Sequence, residues 1–301
     1  MGENVTINNE SLKNHSSFDT YYQNIHHPLK DQLRMFRERN PWKQLTIKGQ
    51  KWDYLKTTRK NHVLLVLIGA TRWGEAFPVN RYLAEEYQII SPTYPEVYTM
   101  DRIIEGVNGI LDHEGINKID ILGISFGGMI AQYFVHQLPE KVQKIALANT
   151  MPPIPEINVM FKLVTKIIEL APTQLIDIIT KKRLYETWIK RLEKDQEFWK
   201  VYVEEILEEY MYKGWIVSQY KMANDFCENF KIDDEKLSRW PGKMLIIESD
   251  DDQVIDRNYR ERLKELYPLA RIHTIQNGGH MPVLTNCEEY LSIINAFLRD
   301  P

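Results

Sequence analysis

One pentapeptide in this sequence has the spacing of a catalytic serine turn. Gly123, Ser125 and Gly127 form a G-x-S-x-G pattern, which follows an apolar run and precedes a stretch with helical periodicity. A serine on a tight strand-to-helix turn projects its hydroxyl above the sheet, and such a turn leaves no room for side chains at the two flanking positions. The pattern therefore predicts that Ser125 is a nucleophile, the alternative being a tight turn with an incidental serine.

A serine hydroxyl reacts at neutral pH only when a base lies within hydrogen-bonding reach. His280 follows Asn277, Gly278 and Gly279 on a loop after the last predicted strand. A glycine-rich loop in this position brings an imidazole over the carboxyl edge of the sheet, where α/β active sites form. The other seven histidines precede the sheet, lie in or at the start of strands, or lie on helices. We predict that His280 is the general base.

Three consecutive aspartates, Asp250, Asp251 and Asp252, follow the apolar run KMLIIES. Three adjacent carboxylates cannot all be buried in ionised form beside one histidine, because they repel each other. We expect one of them to turn inward and the others to contact water or to cap the following helix. Asp252 is the predicted partner of the histidine. The chain order serine, aspartate, histidine is that of nucleophile-elbow hydrolases.

These residues are carried by alternating strand-like and helix-like segments. Short, nearly continuous apolar runs are typical of strands buried on both faces, and the segments between them have helical periodicity. The predicted strands are HVLLVLIGA, YQIISPTYP, KIDILGIS, KIALANT, KMLIIES and RIHTIQ, preceded by an edge hairpin in KQLTIKGQKWDYLKTT. The fold class predicted is α/β, with a mostly parallel central sheet, helices on both faces and a helical insertion.

The strand pattern stops between KIALANT and KMLIIES, and the chain there becomes helical. We therefore divide the sequence into a polar N-terminal arm with a helix (1–42), a sheet domain (43–151 and 242–301) and a helical cap (152–241). The apolar stripes of the cap helices, among them Val159, Leu163 and Ile167, are expected to pack the cap onto itself and onto the sheet domain, or to roof a pocket.

Composition excludes several classes of protein. The 301 residues are 43% hydrophobic and 27% charged, with a formal net charge of -4, which is typical of a globular chain and not of a disordered or nucleic-acid-binding one. The longest apolar run, 63–70, is shorter than the ~18 residues of a membrane span. Two scattered cysteines, Cys227 and Cys287, favour a reducing compartment and indicate neither a disulfide framework nor a metal cluster.

The N-terminal sequence lacks the basic start and apolar stretch of a secretory signal, so we expect a cytoplasmic protein. Gly2 and Thr6 match the N-myristoylation pattern, whose loose positions arise readily by chance, so acylation stays open. No cofactor, metal or nucleic-acid partner is expected, and the oligomeric state stays open.

The elbow, the order of the three predicted catalytic residues and the strand pattern resemble the α/β-hydrolase superfamily over about residues 45 to 299. The resemblance implies that the oxyanion of an acyl-transfer intermediate is held by the backbone N–H of Phe126 and by that of Ala70, with Thr71 the neighbouring possibility. Many members have His-Gly at the end of the third strand, where this chain has Ile68-Gly69. The stretches YQIISPTYP, LDHEGINKIDILGISFGGMIAQYF and KVQKIALANT are similar to the maspardin-like branch, some of whose members lack a complete triad.

We expect a serine hydrolase that opens an ester or thioester of a small to medium apolar acyl group through an acyl-enzyme. The loop containing Trp73 and the underside of the cap are expected to line the substrate pocket, although a single tryptophan such as Trp73 more often serves core or lid packing. Carbon–carbon hydrolysis, peptidase and acyltransferase activity share the same triad and stay open. The alternative from a different class is a non-catalytic adaptor that retains the fold, in the manner of maspardin.

Overall fold

An eight-stranded sheet organises the described part of the chain. The computed structural model describes residues 18–69, 75–210, 212–231 and 240–300. The strand order is β1-β2-β4-β3-β5-β6-β7-β8. The strands are β1 (Lys43–Ile47), β2 (Gln50–Lys56), β3 (Val63–Ile68), β4 (Gln88–Pro92), β5 (Ile119–Ile124), β6 (Val142–Ala148), β7 (Lys243–Ser249) and β8 (Arg271–Ile275). From β4 to β8 all pairs are parallel, whereas β2 pairs antiparallel with both β1 and β4. The predicted edge hairpin is confirmed, with Lys48 and Gly49 at its turn.

Helices cover both faces of the sheet, and none of those in the described residues combines the length and the apolar composition that a bilayer crossing requires. The helices are α1 (Pro28–Arg39), α2 (Phe77–Leu83), α3 (Met100–His113), α4 (Phe126–Gln137), α5 (Asn158–Leu170), α6 (Thr173–Leu184), α7 (Gln196–Tyr210), α8 (Lys213–Asn229), α9 (Arg257–Leu266), α10 (Pro282–Thr285) and α11 (Cys287–Arg299). A π-helical turn, Tyr185–Ile189, follows α6.

Parallel pairing brings the carboxyl ends of β5, β6, β7 and β8 to one edge of the sheet. Ile124, Ala148, Ser249 and Ile275 are the last residues of these strands. The central strands are apolar along their whole length because helices cover both of their faces, which is the pattern that the sequence predicted. The residues that follow the strands, where the predicted catalytic side chains lie, are therefore neighbours in space.

Helices α5 to α8 form an insertion between β6 and β7, hereafter the insertion (152–241). The expectation that its apolar stripes all pack inward is wrong in part. Thr165 and Ile168 of α5 are buried, but Val159, Leu163 and Ile167 on the same helix point outward and are exposed. Period and composition do not show which of two apolar stripes on one helix meets the rest of the molecule. The predicted role of the insertion as a cap stays a prediction.

The N-terminal arm joins the insertion through a buried ion cluster. The guanidinium of Arg37 on α1 donates to both carboxylate oxygens of Glu75 (2.7 and 3.2 Å) and of Glu205 on α7 (2.6 and 3.0 Å). The hydroxyls of Tyr22 and Tyr202 donate to Glu205 (2.9 Å) and Glu75 (3.1 Å). Glu75 and Glu205 are only 4% and 1% exposed. Burial lowers the pKa of Arg37, but the two carboxylates outweigh it and raise that pKa well above its usual value.

We predict that Arg37→Met lowers the free energy of unfolding by about 3–5 kcal/mol, because it leaves two buried carboxylates without their shared cation. Arg34→Met is the matched control on the same helix, since Arg34 pairs with Asp19 at the surface (2.7 Å). That substitution should cost less than about 1 kcal/mol. Urea unfolding followed by circular dichroism measures both, and equal losses in the two variants would contradict the prediction.

Candidate active site

Ser125 lies on a sharp turn between β5 and α4. Its φ and ψ of 54° and -121° are sparsely populated for a residue with a side chain. Its backbone N–H donates to the Ala148 carbonyl oxygen (2.9 Å), and its own carbonyl accepts from the Gly128 N–H (2.9 Å). The turn is thus held from both sides at the carboxyl edge of the sheet.

The two flanking glycines of the motif are required by close approach of the backbone. A Cβ added to Gly127 would overlap the carbonyl group of Leu67 on the neighbouring strand. A Cβ added to Gly123 would lie 2.7 Å from the Cβ of Ala131 and 2.8 Å from the Cα of Gly128. Helix α4 therefore packs so closely against β5 and β3 that only glycine fits at positions 123 and 127.

A continuous hydrogen-bonded chain joins the three residues that the sequence singled out. His280 Nε2 lies 2.9 Å from Ser125 Oγ, and His280 Nδ1 lies 3.0 Å from each carboxylate oxygen of Asp252. The imidazole is 5% exposed. With the Nδ1–H directed at Asp252, Nε2 is the nitrogen that is free to accept the serine proton.

Asp252 is surrounded by hydrogen-bond donors. Its Oδ1 accepts from the backbone N–H groups of Val254 (2.8 Å) and Ile255 (3.1 Å), and its Oδ2 accepts from Asn149 Nδ2 (3.0 Å). Burial raises the pKa of the Asp252 carboxyl, but the hydrogen bonds from His280, Asn149 and Ile255 outweigh it and leave the pKa below its usual value. The carboxylate therefore stays ionised beside the histidine.

The other two aspartates reach water, as expected, since Asp250 is exposed and Asp251 is half-buried, but both also support the histidine loop. Asp250 Oδ1 accepts from the Asn277 N–H (2.7 Å), and Asp251 Oδ1 accepts from the Gly279 N–H (2.8 Å). The cap of α9 is instead Asp256. Sequence spacing cannot show this arrangement, because the donors belong to a loop 27 or 28 residues further along the chain.

Three further residues around the site escaped prediction from the sequence. Asn149 lies after β6, beside β7, with a φ of 46°, and donates to Asp252 and to the Gly279 carbonyl oxygen (3.2 Å). Arg260 of α9 donates to the Ser249 and Asp250 carbonyls, and thereby holds the end of β7. The polar side chain directly after a strand was the available signal for Asn149; Arg260 had none, because a helical arginine is ordinarily solvated.

Arg191 is the third of these residues and comes from the insertion. Its guanidinium forms an ion pair with Asp251, and its Nη1 is buried without a hydrogen-bond partner in the described part of the chain. A Cβ on Gly279 would lie 3.0 Å from that Nη1. Burial raises the pKa of Asp251, but the bonds from Arg191 and the Gly279 N–H outweigh it, so the pKa lies below its usual value. The insertion therefore contacts the loop that carries His280.

Phe126, the first of the two predicted oxyanion donors, begins α4 directly after Ser125. The N–H groups of a first helical turn have no intrahelical acceptor, so this one is available to a ligand. Ala70, its neighbour Thr71 and Trp73 lie outside the described residues. Among the residues that are described, no group of three or more histidine, cysteine, aspartate or glutamate side chains has the arrangement of a metal site.

Three features define an α/β hydrolase: the sheet order, the strained turn at Ser125, and the hydrogen-bonded chain that joins Ser125 to His280 and Asp252. The family model of the alpha/beta hydrolase fold matches residues 88–286, and the chain belongs to this family. The predicted fold class and the resemblance stated above are confirmed.

The curated relatives are distant and of two kinds. The chain is 22% identical over 212 residues to 2-hydroxymuconate semialdehyde hydrolase of Pseudomonas putida, covering 67% of this chain and 70% of that protein. It is also 22% identical over 229 residues to human maspardin, covering 74% of this chain and 66% of that protein.

Two solved structures illustrate the shared fold. A meta-cleavage product hydrolase from Pseudomonas fluorescens superimposes with a TM-score of 0.63 at 17% identity, over 85% of this chain and 96% of that one. A thermophilic esterase from Thermogutta terrifontis gives a TM-score of 0.62 at 20% identity, over 86% and 98%. At these identities the likeness shows the fold alone.

Proposed function

We propose that this protein is a serine hydrolase that cleaves an ester or thioester of a small to medium apolar acyl group through an acyl-enzyme. The observation that carries the proposal is the continuous hydrogen-bonded chain from Ser125 Oγ through the imidazole of His280 to the carboxylate of Asp252. Each member of this chain has the partner that its proposed role needs.

In the acylation step, His280 Nε2 takes the Ser125 proton while Oγ attacks the acyl carbonyl. The tetrahedral oxyanion accepts hydrogen bonds from the backbone N–H of Phe126 and, as proposed from the resemblance, from that of Ala70. The imidazolium then returns its proton to the departing alcohol or thiol as the carbon–oxygen or carbon–sulfur bond breaks. Water, deprotonated by the same imidazole, hydrolyses the acyl-enzyme to the acid and restores Ser125.

Asp252 acts through His280 by accepting the Nδ1–H and by stabilising the imidazolium that forms in each step. Its low pKa supports this role, since the carboxylate is already ionised when the positive charge appears. Asn149 holds the carboxylate in place from the neighbouring strand end. We assign no metal or other cofactor to this reaction.

The proposed substrate is a small to medium apolar acyl compound that enters between the sheet edge and the insertion. Arg191 and Gln219 of the insertion come close to Gly279 and Gly69 of the sheet domain, so the insertion covers the edge that carries Ser125 and His280, which supports the proposed division into sheet domain and cap. Trp73 is proposed to line the pocket on sequence grounds only. A cytoplasmic location is likewise proposed from the sequence.

The non-catalytic alternative rests on the similarity to maspardin, but the serine turn weighs against it. A non-glycine residue at φ 54° costs of order 1–3 kcal/mol, and such strain persists where it serves a site. A pure adaptor has no use for a serine hydroxyl held 2.9 Å from a buried imidazole.

Hydrolysis of a muconate-type compound is a second candidate function within the hydrolase class, since one relative is named as a 2-hydroxymuconate semialdehyde hydrolase. Muconates carry carboxylates. The specific observation that favours this candidate is the buried Nη1 of Arg191 beside Gly279, which has no acceptor in the described part of the chain and would pair with an anionic group.

A fluorophosphonate probe followed by peptide mass spectrometry tests the proposal directly. We expect the label on the peptide that contains Ser125 and none on the peptide with Ser249. In parallel, p-nitrophenyl esters and acyl thioesters of increasing chain length, together with 2-hydroxymuconate semialdehyde, define the substrate class. Turnover of the semialdehyde alone would favour the second candidate, whereas absence of both label and turnover would support the adaptor.

A further inference from the structure

The outer side of the insertion carries an apolar surface that the proposed chemistry does not use. Nine of the fifteen exposed large hydrophobic side chains in the described residues fall within residues 159–185. Exposed hydrophobic residues of monomers are ordinarily scattered, and a cluster of them marks an interaction site. Helix α5 contributes five of the nine, which are 50–81% exposed: Val159, Met160, Leu163, Ile167 and Leu170.

Helix α5 is apolar on two sides, and only one of these sides is needed for packing. The inner side rests on α8, where the ring of Phe161 meets that of Tyr220 edge-on at 6.1 Å and Ile168 is buried. The outer stripe points away from that contact. The inner side therefore accounts for the folding of this helix, and the outer stripe is left without a structural role in the described residues.

Helix α6 continues this surface. Ile176 is its only buried residue, whereas Leu175, Ile178 and Ile179 are 47–64% exposed. Only Ala171 and Pro172 separate α6 from α5. A helix of this kind gains little from packing on its own protein, which is typical of a helix whose apolar side lies in an interface.

A groove beside α6 combines apolar and cationic surface. It has a volume of about 440 Å³ and lies between α6, the π-helical turn and α7. Ile178, Tyr185 and Val203 lie along it, together with three lysines and one acidic residue: Lys181, Lys182, Lys200 and Glu204. Lys181 pairs with Glu204, so the groove keeps an excess of positive charge from the other two lysines. This arrangement matches an amphipathic anion, whose hydrocarbon part contacts the apolar side chains while its phosphate or carboxylate meets the lysines.

The charge of this region is opposite to that of the whole chain. Residues 158–190 contain six lysines and arginines against three aspartates and glutamates. Their formal net charge is therefore +3, whereas that of the whole chain is -4. Lys182 and Arg183 have no carboxylate partner among the residues with described placement, although the adjacent Lys181 pairs with Glu204 at 3.3 Å. Unpaired cations beside exposed apolar side chains are the combination that binds an anionic bilayer surface.

We infer that the outer side of the insertion, formed by α5 and α6, docks on an anionic phospholipid surface. The apolar stripes enter the boundary between headgroups and acyl chains, and the lysines and arginines meet the lipid phosphates. A second copy of the chain is a poorer occupant, because it would bring a region of equal positive charge against this one. Segments 1–17 and 232–239 of the same chain are polar or charged and do not match an apolar surface. This inference is independent of the proposed hydrolysis.

Vesicle flotation with the full chain tests the inference. We expect binding to vesicles of phosphatidylcholine with about one-third phosphatidylglycerol, weakening as salt rises, and little binding to phosphatidylcholine alone. The double variants Leu163→Glu/Ile178→Glu and Lys182→Glu/Arg183→Glu should each bind at least about tenfold more weakly.

Matched controls lie elsewhere on the surface. Leu269→Glu/Ile272→Glu introduces the same two charges at exposed apolar residues outside the cluster. Arg59→Glu/Lys60→Glu reverses the same two charge types in the loop between β2 and β3. These variants should bind like the parent, and all variants should keep its circular dichroism spectrum and its turnover of a water-soluble ester, if it has one.

Three results would overturn the inference: absence of parent binding to the anionic vesicles, equal weakening in the control variants, or equal binding to phosphatidylcholine alone. Light scattering after size exclusion could show a fourth result that overturns the inference. This result is a concentration-dependent dimer that the double variant Leu163→Glu/Ile178→Glu dissociates, which would make the surface a self-association interface instead.

Discussion

Ser125→Ala is expected to lower kcat for an activated ester on the order of a millionfold, to a residual rate set by binding and by the oxyanion donors. The reason is that the hydroxyl of Ser125 is the group whose oxygen lies 2.9 Å from His280 Nε2, and alanine has no oxygen to place there. The substitution removes only one oxygen, so the free energy of unfolding should change little. Stopped-flow or steady-state hydrolysis of a p-nitrophenyl ester measures the loss.

Ser249→Ala is the matched control, because Ser249 is also buried at the edge of the sheet and its Oγ accepts from Asn149 Nδ2 (3.2 Å). It should retain activity within about tenfold. The double variant Ser125→Ala/His280→Ala should be no slower than Ser125→Ala, since the two residues act as one unit. Additive losses, or full activity in Ser125→Ala, would contradict the assignment.

Asp252→Asn is expected to lower kcat about ten thousandfold, which is the effect of the corresponding change in a serine protease. Asp252 accepts the Nδ1–H of His280 with two oxygens at 3.0 Å each, and an amide in its place presents a donor to one of the groups that now donate to it. The imidazole then turns or adopts the wrong tautomer and cannot accept the serine proton. The same ester assay measures this loss.

The three adjacent aspartates supply the control for this prediction. Asp250→Asn removes a charge two residues away, but Asp250 accepts from the Asn277 N–H and, within the described part of the chain, has no hydrogen bond with His280. We expect it to lose less than about tenfold in kcat. If Asp250→Asn and Asp252→Asn lost activity equally, the assignment of Asp252 as the partner of the histidine would be wrong.

The pH dependence of stability tests the role of Asp252 as well. The pKa of Asp252 is lower in the folded protein than its usual value, so the carboxylate stabilises the fold above that usual value and loses this effect as the pH falls towards its folded pKa. The difference in free energy of unfolding between parent and Asp252→Asn should therefore shrink as the pH is lowered below about 4. Urea unfolding at several pH values measures it.

The sheet could be predicted from local sequence because its strands are buried on both faces. Runs such as Leu64–Leu67 are apolar throughout, and glycines and helical segments separate them, so each strand is visible without knowledge of its neighbours. The serine turn could be predicted for a related reason. Gly123 and Gly127 are dictated by a close backbone approach that few arrangements other than this turn require.

The choice among side chains depended on contacts between distant parts of the chain. Asp250, Asp251 and Asp252 are equivalent in sequence, and their roles differ only because Asn277, Gly279 and His280 approach them from a loop far along the chain. Likewise, both sides of α5 carry apolar residues at helical spacing, so the sequence does not show which side is buried. The packing of α5 on α8 decides this and leaves Leu163 exposed.

Backbone turns and buried strands are encoded locally, because sterics and solvent exclusion act on neighbouring residues whatever lies further away. The hydrogen-bond partners of ionised groups are not encoded locally, because a carboxylate accepts equally from any donor that the fold brings near it. Arg37, Glu75 and Glu205 show this most clearly: three ordinary charged residues on three separate segments become one buried cluster only when the arm, the sheet domain and the insertion meet. Ser125 could therefore be identified from the sequence alone, whereas the residues that surround it could be identified only from the three-dimensional structure.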